Sequence, residues 1–352
     1  MKKLAVCITA YEPGGQSVVV EETTKRFAKY YDVDMYCVYS TKSKPQWIKN
    51  LYHIKPWLNK YIPIINKKFI EQIKSQEYDV IHCHDSLPFM DAFHKSGIDY
   101  VVTCHGHGYW WIREGLISKI DCILSLIFYK NSYKKAKRIF AISKYIQEWL
   151  KTTYRVESTI IYNGVPTDKF YILNSIEADR SPTLVYFGQI SYRKGIWDLL
   201  FAIKNLKVKY PNILLNLGGF GDEKFIYNVK KYIYNNKLEN NIKILGYVST
   251  EKQVEYYNSC DAAITSSYWE GFCLPIIEAY QCNKPIFVRN NTAMKEFVND
   301  ERFRFSTVEE MINKLDYYFS NKSEFNIIYT KILDPKVFNW DYSADQYLKM
   351  FE

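Results

Sequence analysis

Short apolar runs recur along the chain at 3–9, 35–39, 79–82, 100–104, 139–142 and 159–162, and again at 183–187, 214–217, 242–245, 261–264 and 286–288. Runs of this length bounded by Gly, Pro, Asn or Ser predict strands of the buried type. Longer mixed stretches between them predict helices at 16–30, 66–76, 113–133 and 196–209, one capped by Ser143, and a short one opened by Pro275. Asn283 is suited to a left-handed cap for that short helix, and Pro285 stops it. Alternating strands and helices imply an α/β chain with parallel sheets flanked by helices. The pattern breaks at 172–182, which is polar and irregular like an interdomain linker, then restarts at 183.

Composition narrows this picture. A chain of 352 residues with 47% hydrophobic residues is long enough for two cores. It lacks the ~18 consecutive apolar residues of a spanning helix. The N-terminal apolar run is short and meets Glu12, Pro13, Gly14 and Gly15, so it reads as a first strand and not as a leader. Eight cysteines without a Cys-x-x-Cys pair point to a reduced, cytoplasmic setting.

The net charge of +9 lies wholly in the first half: residues 1–166 hold 24 Lys and Arg against 15 Asp and Glu, and the remainder is balanced at 23 against 23. Residues 42–74 carry eight lysines and one acid, interleaved with Trp47, Leu51, Tyr52, Trp57 and Tyr61. Lysines among interfacial aromatics suit an anionic membrane surface, on the inner face for a cytoplasmic protein, and equally a solvated insert. No nucleic-acid recognition module accompanies them.

The candidate chemistry sits at the ends of strands. Gly14 and Gly15 follow the first strand, where doubly wound sheets bind ligands. Arg193 and Lys194 precede Gly195 at a helix start, a combination of point charge and backbone amides that suits a diphosphate. In the stretch 265–285, the backbone at Gly271, Phe272, Cys273 and Leu274 opens a helix and offers amides to an anion, framed by Glu270 and Glu278. Ionised carboxylates beside such a cluster can grip sugar or ribose hydroxyls. A helix start that favours acids electrostatically would look the same with no ligand at all. His82, Cys83, His84 and Asp85 end one strand, and Cys104, His105 and His107 end the next. Their spacing fits no standard zinc pattern, so no metal is assigned, although a metal hydrolase is the competing class. Asp32-Val33-Asp34 precedes a strand and reads as a turn, not as a metal-binding Asp-x-Asp.

Glu270-Gly271-Phe272, Leu274-Pro275 and Glu278-Ala279 resemble the Glu-to-Glu motif of retaining glycosyltransferase family 4, whose fold is GT-B. Asn163-Gly164-Val165-Pro166 resembles the family's hinge, and 338–352 resembles the terminal helix that crosses back to the first domain. The resemblance implies two Rossmann-like domains facing a cleft. Residues 1–166, completed by 338–352, form the acceptor side, and residues 167–337 bind the nucleotide sugar. It implies a donor site of Gly14, Gly15, Arg193, Lys194, Gly219, Val248, Glu270, Gly271, Phe272, Cys273, Leu274 and Glu278. Glu270, His105 and Lys194 are the expected catalytic residues, and Glu278 the ribose ligand.

The expected activity is metal-independent, retaining transfer of a hexose from a UDP- or GDP-sugar, without a cofactor, to a glycan or lipid-linked hydroxyl in surface polysaccharide synthesis. A non-catalytic sugar-nucleotide or glycan-binding partner is the alternative. The chain departs from the family pattern at Cys273 and Asn283, where Gly is usual, and at Gln189, where a cation is usual and Arg193 is the candidate substitute.

Overall fold

The computed structural model describes residues 1–54, 67–106, 116–165, 169–173, 181–325 and 337–351. His107, residues 55–66 of the basic stretch, most of the linker and the expected boundary at 166/167 lie outside them. Two compact units form: Met1–Gly164 with Lys336–Glu352, and Val165–Pro335.

The first unit contains β1 (Lys2–Tyr11), α1 (Gly15–Phe27), β2 (Tyr31–Ser40), β3 (Asn50–His53), α2 (Lys67–Gln76) and β4 (Val80–His84). It continues with α3 (Leu87–Lys95), β5 (Val101–Cys104), α4 (Leu116–Lys135), β6 (Arg138–Ala141), α5 (Lys144–Tyr154) and β7 (Thr159–Ile160). The second contains β8 (Thr183–Phe187), α6 (Ile196–Leu206), β9 (Leu214–Gly218), α7 (Glu223–Asn235), β10 (Ile242–Gly246), α8 (Thr250–Ser259) and β11 (Ala262–Thr265). It closes with α9 (Leu274–Gln281), β12 (Ile286–Arg289), α10 (Met294–Phe297), β13 (Arg304–Phe305) and α11 (Val308–Ser320), and α12 (Trp340–Phe351) belongs to the first unit again.

Both sheets are parallel, ordered β3-β2-β1-β4-β5-β6-β7 and β10-β9-β8-β11-β12-β13. Helices on both faces explain why the strands read as continuous apolar runs: β4 and β8 are buried at every position. Strand order reverses between β1 and β4 in one sheet and between β8 and β11 in the other. A doubly wound sheet opens a crevice at that reversal, beyond the carboxyl ends of the two strands. The loops found there carry Gly14, Gly15 and Asp85 in the first unit, and Gly188 to Gly195 and Ser266 to Glu270 in the second.

α12 is anchored in the first unit by Tyr347, which is buried against Phe27 and Phe140 with ring centroids at 6.0 and 5.0 Å. Ser343 Oγ donates to the Tyr162 carbonyl at 2.6 Å, and a β-carbon on Gly164 would lie 2.3 Å from the Trp340 nitrogen. Glycine at position 164 is therefore required by this contact. Among the described residues no helix is long and apolar enough to cross a membrane.

One expectation is corrected. Asp32, Val33 and Asp34 lie inside β2, not in a turn, paired with Lys3, Leu4 and Ala5 of β1. Asp34 is buried and accepts from Tyr78 at 2.6 Å and Asn50 at 2.9 Å, so the acids that disguised the strand have local partners. Within the basic stretch before residue 55, a few apolar side chains pack onto the sheet while Lys44 and Lys49 stay exposed. Asn50–His53 is an edge strand, Ile48 is buried, and Trp47 and Leu51 pack on the core. Trp47 Nε1 donates to Thr24 Oγ1 at 3.1 Å, and Tyr52 stacks on Tyr36 at 4.8 Å. These side chains fill a sheet edge.

Candidate functional site

In the second unit the expected site residues gather at the β8/β11 reversal. β8 runs into a turn at Gly188 and a single 3-10 turn, Tyr192–Lys194, before α6 starts. The loop after β11 is tied to that turn by backbone and hydroxyl contacts. Tyr268 N donates to the Arg193 carbonyl at 2.9 Å, and Ser266 Oγ donates to the Gly195 carbonyl at 2.6 Å. Gly195 sits at φ +66, and a β-carbon there would lie 2.2 Å from the Ser266 carbonyl oxygen. Gly195→Ala is therefore expected to cost about 2–4 kcal/mol, from left-handed strain plus a backbone clash. Denaturant unfolding measures it, and a loss under about 0.5 kcal/mol would refute the close packing of the two loops.

This packing presents Lys194 and Glu270 to each other. Lys194 Nζ donates to Glu270 Oε1 in an ion pair, and Arg193 Nη1 stands 3.9 Å from Oε2 while donating to the Trp269 carbonyl at 2.8 Å. The Glu270 side chain is only 10% exposed and that of Lys194 17%. Burial is the largest single influence on the Glu270 carboxyl and pushes it up, but the Lys194 and Arg193 charges together hold it below its ordinary value. Thr292, itself at φ 49, accepts from the Glu270 amide at 3.2 Å. No local sequence signal marked Thr292, because it reaches the loop from beyond β12.

α9 begins at Leu274 with Pro275 in its first turn, and Cys273 at its N-cap has φ 76 and makes no side-chain cap. The left-handed backbone explains why glycine is usual at that position: Cys273 occupies it under strain. Burial pushes the Cys273 thiol far up, with Glu270 and Glu278 adding to the rise and Lys194 opposing it, so all four groups converge on this helix start. Asn283 takes the left-handed conformation after the helix, at φ 53. Glu278 lies on α9 and accepts from the Tyr257 hydroxyl at 3.0 Å. Burial pushes its carboxyl up to about 7, the Tyr257 hydrogen bond offsetting only part of the rise.

Gly219 and Val248 border the same sheet ends. Gly219 N donates to the Gly246 carbonyl at 2.7 Å, and a β-carbon on Gly219 would fall 1.8 Å from the Gly188 carbonyl oxygen. Its lack of a side chain is thus already required by loop packing. Val248 is buried, next to the exposed Tyr247, which stacks on Phe220 at 5.6 Å. The carbonyl of Gln189 accepts from Tyr186 at 2.7 Å.

In the first unit Gly14 and Gly15 open α1, and a β-carbon on either would meet nothing within 4 Å. His105 follows β5 and is held from two sides. The Asp85 carboxylate accepts from His105 N at 2.5 Å, from Gly106 N at 3.0 Å and from the Tyr133 hydroxyl, while its carbonyl accepts from Tyr129 at 2.7 Å. The His105 ring meets buried His84, Nε2 to Nδ1, at 3.0 Å. Asp85 thus anchors the His105 loop. The tyrosines that complete the anchor come from α4, so spacing alone could not reveal it. Among the described residues no group of three or more His, Cys, Asp or Glu is placed to hold a metal ion.

Residues 13–169 match the model of the family described as Glycosyltransferase Family 4, and residues 171–329 that of Glycosyl transferases group 1. The chain is 26% identical over 300 residues to an uncharacterized glycosyltransferase of Methanocaldococcus jannaschii, covering 82% of this chain and 78% of that protein. It is 28% identical over 194 residues to the O-antigen chain mannosyltransferase B of Escherichia coli, a match spanning 54% of this chain and 49% of the relative. Anabaena HepE, solved in complex with UDP and glucose, superposes with a TM-score of 0.80 at 16% identity, covering 99% of each chain.

Proposed function

The chain belongs to the glycosyltransferases of family 4 and group 1 and has their GT-B fold, and on that premise we propose that it is a retaining hexosyltransferase. It moves a hexose from a UDP- or GDP-sugar to a hydroxyl of a glycan or lipid-linked acceptor. The observation that carries the reading is the Lys194–Glu270 ion pair beside the α9 N-terminus, with the Arg193 guanidinium 3.9 Å from the same carboxylate. A diphosphate arriving there meets two cations and a helix start, which neutralise the charge that builds on the leaving group. With that charge met by side chains, the mechanism assigns no metal. Attack by the acceptor on the face the diphosphate leaves retains the anomeric configuration, and His105 hydrogen-bonds a sugar oxygen. HepE, with its bound UDP and glucose, supports the donor class, and the O-antigen mannosyltransferase supports a surface-glycan acceptor.

Calorimetric titration tests the diphosphate grip. UDP or GDP is expected to bind at least about tenfold tighter than its monophosphate, since each added charge-assisted contact is worth roughly 1.5–3 kcal/mol. Equal affinities would remove the reading.

On this reading Glu278 takes the ribose hydroxyls, and an acceptor-only carboxylate must be ionised to do so. With its carboxyl at about 7, the nucleotide binds better as pH rises through neutrality. Between pH 8 and pH 6 affinity is expected to fall by up to about tenfold beyond the phosphate's own titration. Glu278→Gln, titrated alongside, should remove that excess; the same slope in both proteins would exclude Glu278 as the ribose ligand. The unliganded protein should show the opposite trend. A carboxyl raised in the folded state adds stability below its unfolded value near 4.5 and loses it as pH climbs to about 7.

A further inference from the structure

We propose that His84 fixes the tautomer of His105, so that His105 meets the substrate as a hydrogen-bond donor through Nδ1–H and does not serve as a base. The inference rests on the proposed role of His105 at the sugar, and goes beyond it by assigning where the proton sits and which residue puts it there.

The argument starts from one proton. His84 Nδ1 and His105 Nε2 are 3.0 Å apart, so one nitrogen donates and the other accepts. The second nitrogen of His84, Nε2, is buried and has no hydrogen-bond partner. If the His84 proton were on Nε2, a buried N–H would be stranded, and native proteins avoid orphan donors more strictly than orphan lone pairs. The proton therefore sits on His84 Nδ1 and is donated to His105. An imidazole that accepts at Nε2 carries its own proton on Nδ1. Burial also holds the His84 ring well below its ordinary range, with His82 and His105 acting in the same direction, so His84 stays neutral and has only one proton to place.

The next ring inward follows the same pattern. The Thr103 hydroxyl donates to the Tyr347 hydroxyl at 3.2 Å, which leaves His82 Nε2, at 2.7 Å, to donate to Thr103. His82 Nδ1 is then a lone pair, and it too is buried without a partner. The His82 and His84 rings lie 4.2 Å apart on β4, so the row of fixed tautomers runs from α12 through the sheet to the end of β5. The His105 backbone is fixed as well, by the Asp85 carboxylate, so neither ring orientation nor protonation is left to the substrate. A neutral Nδ1–H donor suits a lone pair on a sugar hydroxyl. His84 is a positioning residue: it acts through His105 alone.

Long-range nitrogen–proton correlation spectra of the full-length protein with labelled histidine read the tautomer directly. His105 is assigned by the signal lost in His105→Gln. At neutral pH it should show the Nδ1–H pattern, and an Nε2–H pattern would overturn the proposal. His84→Asn keeps an amide donor where Nδ1 stood, whereas His84→Leu keeps only volume. His84→Leu should lose the Nδ1–H signature and lower kcat roughly tenfold at nearly unchanged KM, and His84→Asn should restore both to within about threefold. An Asn variant no better than Leu contradicts the proposal. A protein with the Nδ1–H signature but no transferase activity would instead remove the functional reading and leave the tautomer assignment standing.

Discussion

Glu270→Gln lowers glycosyl transfer by about two to three orders of magnitude while nucleoside diphosphate binds at least as tightly as before. The two effects come from one contact. In the free protein the Glu270 carboxylate holds Lys194 in an ion pair and has Arg193 within 3.9 Å, so it competes with any diphosphate for the same cations. Neutral Gln withdraws the competitor, and affinity for UDP or GDP stays or improves a few-fold. The charge that leaves is also the one the proposed reaction places near the sugar, where positive character develops as the bond to the leaving phosphate stretches. Initial rates with saturating donor, paired with diphosphate titrations, separate the two. A variant with native turnover, or one that binds diphosphate much more weakly, would show that Glu270 only holds the loop together.

Lys194→Met is expected to have the largest effect on stability in the second unit. Removing the ammonium leaves a carboxylate with a side chain only 10% exposed and Arg193 too distant for a close hydrogen bond. Breaking a buried pair from one side costs about 3–5 kcal/mol, most of it the uncompensated charge. The double variant Lys194→Met with Glu270→Gln should regain most of that loss, because no buried charge remains, and should still fail to transfer. The pH dependence has a fixed sign. Glu270 is held below its ordinary value in the native fold, so the pair contributes stability above the unfolded carboxyl value and loses it in acid. The stability gap between native and Lys194→Met protein therefore narrows as pH falls. Equal stabilities at neutral pH would mean the pair is a surface contact.

Much of this site could be read from local sequence, for a physical reason. In doubly wound sheets the ligand loops follow strand ends, and Gly195, Lys194 and the Glu270–Pro275 stretch all lie within a few residues of an apolar run. The two departures at Cys273 and Asn283 fall where the backbone is left-handed, which is why glycine was the expected residue at both. Contacts made across long sequence separations were illegible. Thr292 under the Glu270 amide, Tyr257 on Glu278, and Tyr129 and Tyr133 on Asp85 each come from a separate element. The edge strand within the basic stretch was not legible, because composition does not say which way a side chain faces. Lys49 pairs with Asp32, Trp47 reaches Thr24 and Tyr52 covers Tyr36, so a four-residue edge strand was hidden among lysines. Arg193 stands between these cases: its sequence position suggested a phosphate cation, and its guanidinium braces the Trp269 carbonyl.

The most direct test is nucleoside diphosphate release from a panel of UDP-, GDP- and ADP-sugars, with membrane extract supplying acceptors and Glu270→Gln alongside the native chain. Release from one donor by the native protein, falling at least about a hundredfold in the variant, is the expected result. Release from none, or release that Glu270→Gln leaves unchanged, would contradict a transferase site at the Lys194–Glu270 pair.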